Sequence, residues 1–222
     1  LSILLLCCMV LTMLPTTVLA ADGPMDTIPK YDVSIDVYNR TSDISIKDSR
    51  SYYIYSSVPD KLRDTWAWDK KIFIKGDKTA PHVFIDGVNI EMSPSSKGPA
   101  IELNKKASAY IYFIGKNSSL QGADGRAAIQ KNRSEGQLYV LARTGTTVTC
   151  KGGDKAAGIG GSYATRNISN GYYNGDMYGH GVNMHFGSQS NPAYWGGIIA
   201  AIGGNGGAGI GGGQGGAGEK LY

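Results

Sequence analysis

Short apolar runs, each followed within a few residues by glycine, asparagine or aspartate, recur along the chain after residue 42. Branched and aromatic residues dominate these runs, which is typical of β-strands that end in turns. The clearest runs are 43–47, 52–55, 72–74, 83–85, 110–114 and 138–141. No window after the first twenty residues holds a 3.6-residue apolar period, so the pattern predicts an all-β protein.

The chain contains an internal repeat. Residues 148–161 (VTCKGGDKAAGIGG) align without gaps with residues 199–212 (IAAIGGNGGAGIGG), and weaker copies lie at 90–103 and 120–131. Anchored on one isoleucine, the copies stand at Ile101, Ile129, Ile159 and Ile210, at intervals of 28, 30 and 51 residues. A repeat of about 28 residues that contains only short strands is typical of a solenoid, in which each repeat packs against its neighbours.

A parallel β-helix would place equivalent residues of successive repeats about 4.8 Å apart. We therefore expect two internal aliphatic ladders, Ile101–Ile129–Ile159–Ile210 and Ile90–Leu120–Val148–Ile199. Ser96, Asp124, Asp154 and Asn205 each stand five residues before the anchoring isoleucine. All four bond readily to their own backbone in turns, so they predict a polar ladder on a corner. Small residues before the isoleucine are expected to let the backbone turn sharply.

Three glycine-rich segments resemble the repeats of bacterial secreted and cell-surface proteins: GKNSSLQGADGRAAIQ at 115–130, TTVTCKGGDKAAGIGG at 146–161 and GGIIAAIGGNGGAGIGGG at 196–213. Upstream, DISIKDSRSYYIYSS at 43–57 and VFIDGVNIEMS at 83–93 resemble the first coils of carbohydrate-binding, pectate-lyase-like β-helix domains. The resemblance implies a right-handed, single-stranded parallel β-helix in an exported protein. It also implies polysaccharide binding, sometimes with calcium.

The ends of the chain predict its domain organisation. Residues 1–14 are uncharged and strongly apolar, and small residues at 18 and 20 fit a cleavage site. We therefore expect a signal-peptide helix at 1–20, truncated at its N-terminus, with a buried core helix as the alternative. An N-terminal cap at 21–42 precedes a β-helix at 43–222, which carries an inserted loop at about 162–195 and is truncated at its C-terminus. The predicted location is extracellular, at the cell surface.

Composition excludes several functional classes. Charged residues make up 18% of the chain and its net charge is +4, so the sequence is not that of a polybasic nucleic-acid binder. Glycine accounts for 32 of the 222 residues, and 13 of these lie between 196 and 218. That uncharged stretch is too weakly apolar for a membrane span, so we expect none in the mature chain. We expect a monomer within a larger modular protein.

The stretch 162–195 carries the candidate ligand site. It is rich in tyrosine and asparagine, and long loops on rigid scaffolds often hold binding residues. Aromatic rings can bind the apolar faces of sugars, while amides and carboxylates bond the hydroxyl groups. The predicted glycan-binding residues are Tyr172, Tyr173, Tyr178 and Trp195, with Asn174 and Asp176. The alternative is that the rings pack down on the flank of the helix.

Enzymatic chemistry is the second interpretation. The Gly179–Gly181 triplet (GHG) resembles one found in β-helix glycoside hydrolases that act on pectin. Those enzymes also need paired aspartates and an Arg-x-Lys clamp, and the sequence has neither motif; the RxPxxR pattern of pectate lyases is missing as well. We therefore predict no catalytic residue, and a non-catalytic scaffold that binds polysaccharide or a host or cell-wall glycan. A polysaccharide lyase or hydrolase and a purely structural stalk are the alternatives.

Asp124 and Asp154 are the candidate metal ligands. In a β-helix they would stand one coil apart, and two carboxylates about 5 Å apart repel each other unless a cation lies between them. Lys155 follows Asp154 directly and Arg126 lies near Asp124, so an internal salt bridge is the simpler explanation. We expect no cofactor, with calcium as the open alternative.

Overall fold

The computed structural model describes residues 28, 30–77, 79–93, 98–104, 106–131, 135–163, 179–188, 190–191 and 193–222. Regular structure in these residues is almost entirely β, with a one-turn 3₁₀ helix at Asp60–Leu62. The predicted signal peptide and the first part of the predicted cap, up to residue 27, lie outside the described residues. None of the described helices has the length and apolar character that a membrane crossing requires.

In the part of the chain that the structure describes, seventeen strands form three sheets, and every pairing between them is parallel. The seven-stranded sheet contains β1 (Val33–Asp36), β3 (Ser51–Tyr55), β5 (His82–Asp86), β8 (Ala109–Ile114), β11 (Leu138–Ala142), β14 (Gly181–Phe186) and β17 (Gly218–Leu221). The six-stranded sheet contains β2 (Ile44–Ile46), β4 (Ile72–Ile74), β7 (Ile101–Leu103), β10 (Ile129–Gln130), β13 (Ile159–Gly160) and β16 (Ile210–Gly211). The four-stranded sheet contains β6 (Asn89–Glu91), β9 (Ser118–Gln121), β12 (Thr147–Lys151) and β15 (Ile198–Ile202).

From β5 onward the chain visits the three sheets in a fixed order: the seven-stranded, then the four-stranded, then the six-stranded sheet. We call one such passage a structural repeat. Each strand pairs with the equivalent strand of the next repeat, so the three sheets grow together. Before β5 the chain alternates between the seven- and six-stranded sheets, and Trp68 forms a parallel bridge to Ile90 beside β6. The predicted all-β fold with parallel strands is confirmed.

The isoleucine ladder of the six-stranded sheet is confirmed residue by residue. Ile101 pairs with Ile129, Ile129 with Ile159, and Ile159 with Ile210. The ladder extends in the other direction through Ile72 to Ile44. All of these side chains except the half-buried Ile210 are buried in the main hydrophobic core. Each fully buried aliphatic side chain stabilises the folded state by roughly 1.5–3 kcal/mol relative to an exposed one.

The predicted ladder of the four-stranded sheet is wrong in its register. Leu120 pairs with Cys150, whereas Val148 pairs with Ser118 on one side and Ile199 on the other. Ile90, as predicted, pairs with Leu120. The strands have inward positions two residues apart, as β12 shows with its buried Val148 and Cys150. The prediction joined Leu120, at one inward position, to Val148, which lies at the other inward position of its strand.

The predicted inserted loop at 162–195 is interrupted by a strand. Gly181–Phe186 forms β14, which pairs with β11 so that Leu138 lies opposite Met184. The extra length of this repeat is therefore divided between a segment before β14 and a segment between β14 and β15. Residues 164–178 of the first segment lie outside the described residues.

Glycines mark the corners between the four- and six-stranded sheets, where backbones of successive repeats approach closely. A Cβ at Gly153 would overlap the carbonyl oxygen of Ala123, and one at Gly204 would overlap that of Gly153. A Cβ at Gly158 would lie 2.6 Å from the Cys150 carbonyl oxygen. None of these three glycines has a positive φ. The main reason for glycine here is therefore lack of space and not the sharp turn that the sequence predicts.

We predict that Gly153→Ala lowers the free energy of unfolding by about 3 kcal/mol, because the added methyl group must displace backbone of the neighbouring repeat. The matched control is Gly145→Ala. Gly145 has φ +85° and no atom within 4 Å of its ideal Cβ, so its substitution costs about 1 kcal/mol of backbone strain alone. Urea unfolding of both variants measures the difference, and an equal loss in the two would contradict close packing at Gly153.

Candidate functional site

An open groove of about 450 Å³ lies at one corner of the four-stranded sheet. Glu91 and Gln121 face it from the ends of β6 and β9, where they are register partners. Asp124 lines it from the turn that leads to β10, and Thr65 lines it from the loop that follows the 3₁₀ helix. The remaining lining residues are Ala67, Met92, Ser93, Gly122, Ala123 and Gly153. Residues far apart in sequence therefore meet in one concave surface.

Backbone hydrogen bonds hold the walls of the groove in place. The amide of Glu91 donates to the Trp68 carbonyl at 3.0 Å, and the amide of Met92 donates to the Gln121 carbonyl at 3.1 Å. The amide of Ala123 donates to the Gly98 carbonyl at 3.0 Å. The first bond joins the segment before β5 to the first repeat, and the other two join neighbouring repeats, so the polar side chains above them stand on a hydrogen-bonded base.

The side chains of the groove suit a ligand rich in hydroxyl groups. Glu91 and Asp124 supply carboxylates, Gln121 supplies an amide, and Thr65 and Ser93 supply hydroxyls. Met92 and Ala123 add apolar surface. None of the lining residues that the structure describes is a lysine, arginine or histidine. Such a mixture of hydrogen-bonding groups and apolar surface is typical of small-molecule binding sites.

The predicted corner ladder places Asp124 and Asp154 in successive repeats, because the amide of Gly125 donates to the Asp154 carbonyl at 2.9 Å. Both aspartates are exposed. The Lys155 ammonium lies 3.9 Å from an Asp154 carboxylate oxygen, so the simpler explanation, a salt bridge, holds for that residue. Within the described residues no group of three or more His, Cys, Asp or Glu is placed to hold a metal ion. Calcium binding by this pair stays the open alternative that it was at the level of the sequence.

Most of the predicted glycan-binding residues, namely Tyr172, Tyr173, Asn174, Asp176 and Tyr178, lie outside the described residues. Trp195 is described, and its side chain is only 4% exposed. Its ring lies 5.1 Å from the ring of Tyr112 and meets the Tyr194 ring edge-on at 4.7 Å. The expectation that Trp195 offers an exposed ring is therefore wrong, because it packs against the outer face of the seven-stranded sheet.

That outer face carries a column of stacked rings that the sequence did not predict. The column, which we call the ring stack, consists of His82, Tyr110, Tyr139, His185 and Tyr222. Successive ring centroids are 4.6, 4.6, 4.4 and 4.8 Å apart. The first four residues are partners in the strand register, so one ring from each repeat stands above the last. The sequence does carry a signal for the ring stack, because an aromatic residue or a histidine stands at the same outward-facing position of each of these strands.

The geometry of the ring stack favours a stabilising role. Adjacent rings are within 15° of parallel, so they cover one another's faces. A sugar that binds an aromatic ring needs a ring face that is open to solvent. The rings inside the stack are covered on both faces and leave only their edges accessible. Each such ring pair contributes about 0.5–1.5 kcal/mol to stability, in addition to the stabilisation from the area that the rings bury. Tyr222, at the end of the stack, is 67% exposed.

Two buried or half-buried titratable side chains, His185 and Lys131, were likewise not predicted from the sequence. Burial lowers the pKa of His185, which lies between Tyr139 and Tyr222 in the ring stack. Lys131 follows β10 and is 1% exposed, and desolvation lowers its pKa to about 8. Its ammonium donates a hydrogen bond to the Glu135 carbonyl at 2.9 Å. The sequence around Lys131 shows no pattern that distinguishes a buried lysine from a lysine on the surface.

The histidine of the GHG triplet is part of the sheet's hydrogen-bond network. Its Nδ1 accepts a hydrogen bond from the Ala217 amide at 3.3 Å. His180 therefore lies beside the start of β17, and it is not among the described residues that line the groove.

Comparison with protein families, with curated proteins and with solved structures finds no match to this chain.

We predict that protonation of His185 destabilises the fold. Its pKa is lowered in the folded state, so the neutral imidazole is favoured, and the associated stability is present above pH 6.5 and lost as the pH falls below it. Thermal melts from pH 7.5 to pH 5 should show a smaller fall in midpoint for His185→Phe, which keeps a stackable ring. Identical pH profiles in the two proteins would contradict this role for His185.

Proposed function

We propose that this chain is a secreted, cell-surface scaffold that binds polysaccharide without catalysing a reaction. The proposed fold is a right-handed, single-stranded parallel β-helix. The cyclic order of the three sheets and the register of the Ile101–Ile129–Ile159–Ile210 ladder support it. The glycine-rich repeats resemble those of bacterial surface proteins, which supports the proposed location.

The groove beside β6 and β9 is the observation that carries the binding proposal. It is concave, it stands on backbone hydrogen bonds between repeats, and it presents carboxylate, amide and hydroxyl groups together. A sugar ring offers hydroxyls to such groups and an apolar face to Met92 and Ala123. The volume of about 450 Å³ is within the range of ordinary ligand sites and accommodates a short stretch of a glycan chain.

We predict that the full chain is retarded in affinity electrophoresis by at least one polysaccharide from a panel of neutral and charged polymers. Replacing Glu91 and Asp124 together by alanine should weaken that retardation at least about tenfold, because each carboxylate is expected to accept a charge-assisted hydrogen bond. Asp77→Ala is the matched control, since Asp77 is an exposed carboxylate that does not line the groove.

Equal retardation of the double variant and the wild type would show that the groove is not the binding site. A chain that no polysaccharide in the panel retards would contradict the proposed function itself. Circular dichroism of each variant shows whether the fold is retained, and the Asp77→Ala control shows how much the loss of one surface carboxylate outside the groove changes the migration.

A hydrolase or lyase is the second candidate function. The observation that favours it is the presence of two carboxylates, Glu91 and Asp124, in one groove, because a pair of carboxylates performs acid and base steps in glycoside hydrolysis. Release of reducing ends or of an unsaturated product from a bound polysaccharide would establish catalysis. Glu91→Gln and Asp124→Asn should then each abolish product release while leaving retardation in the gel.

A further inference from the structure

The carboxylates of the groove beside β6 and β9 are not neutralised by the described part of the chain. Glu91 and Asp124 line the groove, and neither carboxylate forms an ion pair or a hydrogen bond with any residue that the structure describes. Asp64, which directly precedes the lining residue Thr65, also lacks such a partner among the described residues. Unpaired negative charge is therefore gathered in and beside the groove.

Carboxylates elsewhere in the described ranges are nearly all satisfied. One group forms ion pairs with lysine or arginine, namely Asp48, Asp60, Asp69, Glu102, Glu135 and Asp154. A second group accepts hydrogen bonds from backbone amides, namely Asp32, Asp36, Asp43 and Asp86. Of the other described carboxylate side chains without a partner, Asp77 alone neither lines the groove nor adjoins a lining residue. The unpaired charge is thus a local property of the groove.

No lysine or arginine among the described residues compensates this charge. Lys151 pairs with Gln121 in the strand register, and Arg126 lies two residues after Asp124. Neither lines the groove and neither forms an ion pair there, although the chain as a whole has a net charge of +4. The lining therefore combines carboxylates with the Gln121 amide and the Thr65 hydroxyl, and it contains no described cation that would hold an anionic ligand.

Charge of one sign in a concave surface selects ligands of the opposite charge. The walls of a groove focus the electric field, so Glu91 and Asp124 act more strongly on a ligand there than they would on a flat surface. A ligand ammonium group gains charge-assisted hydrogen bonds, which are about twice as strong as neutral ones. A uronic acid or a sulfated sugar would instead bring further negative charge and be repelled.

We propose that the groove binds a polysaccharide whose sugars carry free amino groups. This inference rests on the proposed function, because it names the class of polysaccharide that the same groove takes. Ammonium groups of the sugars donate hydrogen bonds to Glu91 and Asp124, while Gln121 and Thr65 bond neighbouring hydroxyls. A polymer of glucosamine has this chemistry, since each of its sugars carries an amine beside its hydroxyl groups.

Calorimetric titration of the full chain at low ionic strength tests the proposal with a glucosamine oligomer and with the same oligomer in fully N-acetylated form. Acetylation removes the positive charge and keeps the sugar backbone. The wild type should bind the amine form at least about tenfold more tightly. In the double variant Glu91→Gln, Asp124→Asn the two affinities should lie within about threefold of each other, because the amides retain hydrogen bonding without the charge.

The matched control is the double variant Asp77→Asn, Asp154→Asn. It removes the same number of charges from exposed positions that do not line the groove, so it should keep the preference of the wild type for the amine form. Equal loss of preference in the two double variants would overturn the proposal. Full preference in the variant of Glu91 and Asp124 would overturn it as well.

The other outcomes separate this inference from the proposed function. A neutral or uronic-acid polysaccharide that binds at least as tightly as the glucosamine oligomer would overturn the amine proposal and leave the groove as a polysaccharide site. Binding that EDTA abolishes would do the same, since the carboxylates would then hold a metal ion. A chain that binds no polysaccharide would contradict the proposed function, and this inference would fail with it.

Discussion

The close approach of backbones at the corners between the four- and six-stranded sheets is the constraint on which the regular stacking of this structure depends. Gly153 lies against Ala123 and Gly204 lies against Gly153, with no space for a Cβ between them. Backbone hydrogen bonds between paired strands set the distance from one repeat to the next at about 4.8 Å. At that distance the corners have no space for a Cβ, so the parallel, in-register pairing of the three sheets depends on glycine there. At these corners glycine is therefore a packing requirement.

Constant spacing arranges side chains in columns, and the columns have different roles. Isoleucines inside the sheets form the hydrophobic ladder, while outward rings on the seven-stranded sheet form the ring stack. The groove lies where the regular arrangement is broken by the loop that carries Thr65 and Ala67. The regular part thus supplies rigidity, and the departure from regularity supplies a concave polar surface.

Local patterns in the sequence were sufficient to predict β2 to β5, β8, β11 and the isoleucine ladder, because these depend on short apolar runs and a repeated anchor. They did not predict β1, which lies in the expected cap, or β14, which lies in the expected loop. The ladder through Leu120 and Cys150 was not predictable in the same way, since each strand offers two equivalent inward positions. The burial of Trp195 depends on the outer face against which it packs. The groove brings Thr65 next to Asp124, and no local pattern connects residues so far apart.

Dipolar broadening between paired nitroxide labels tests the stacking of repeats most directly. Ser119 and Thr149 are register partners on neighbouring strands, and Asn89 lies one strand further along the same column. With Cys7 and Cys8 replaced by serine and Cys150 buried, labels at 119 and 149 attach about 4.8 Å apart on the backbone, and labels at 89 and 149 about 10 Å apart. Strong broadening for the first pair and clearly weaker broadening for the second are predicted. Equal broadening, or none at 119 and 149, would contradict the stacked register.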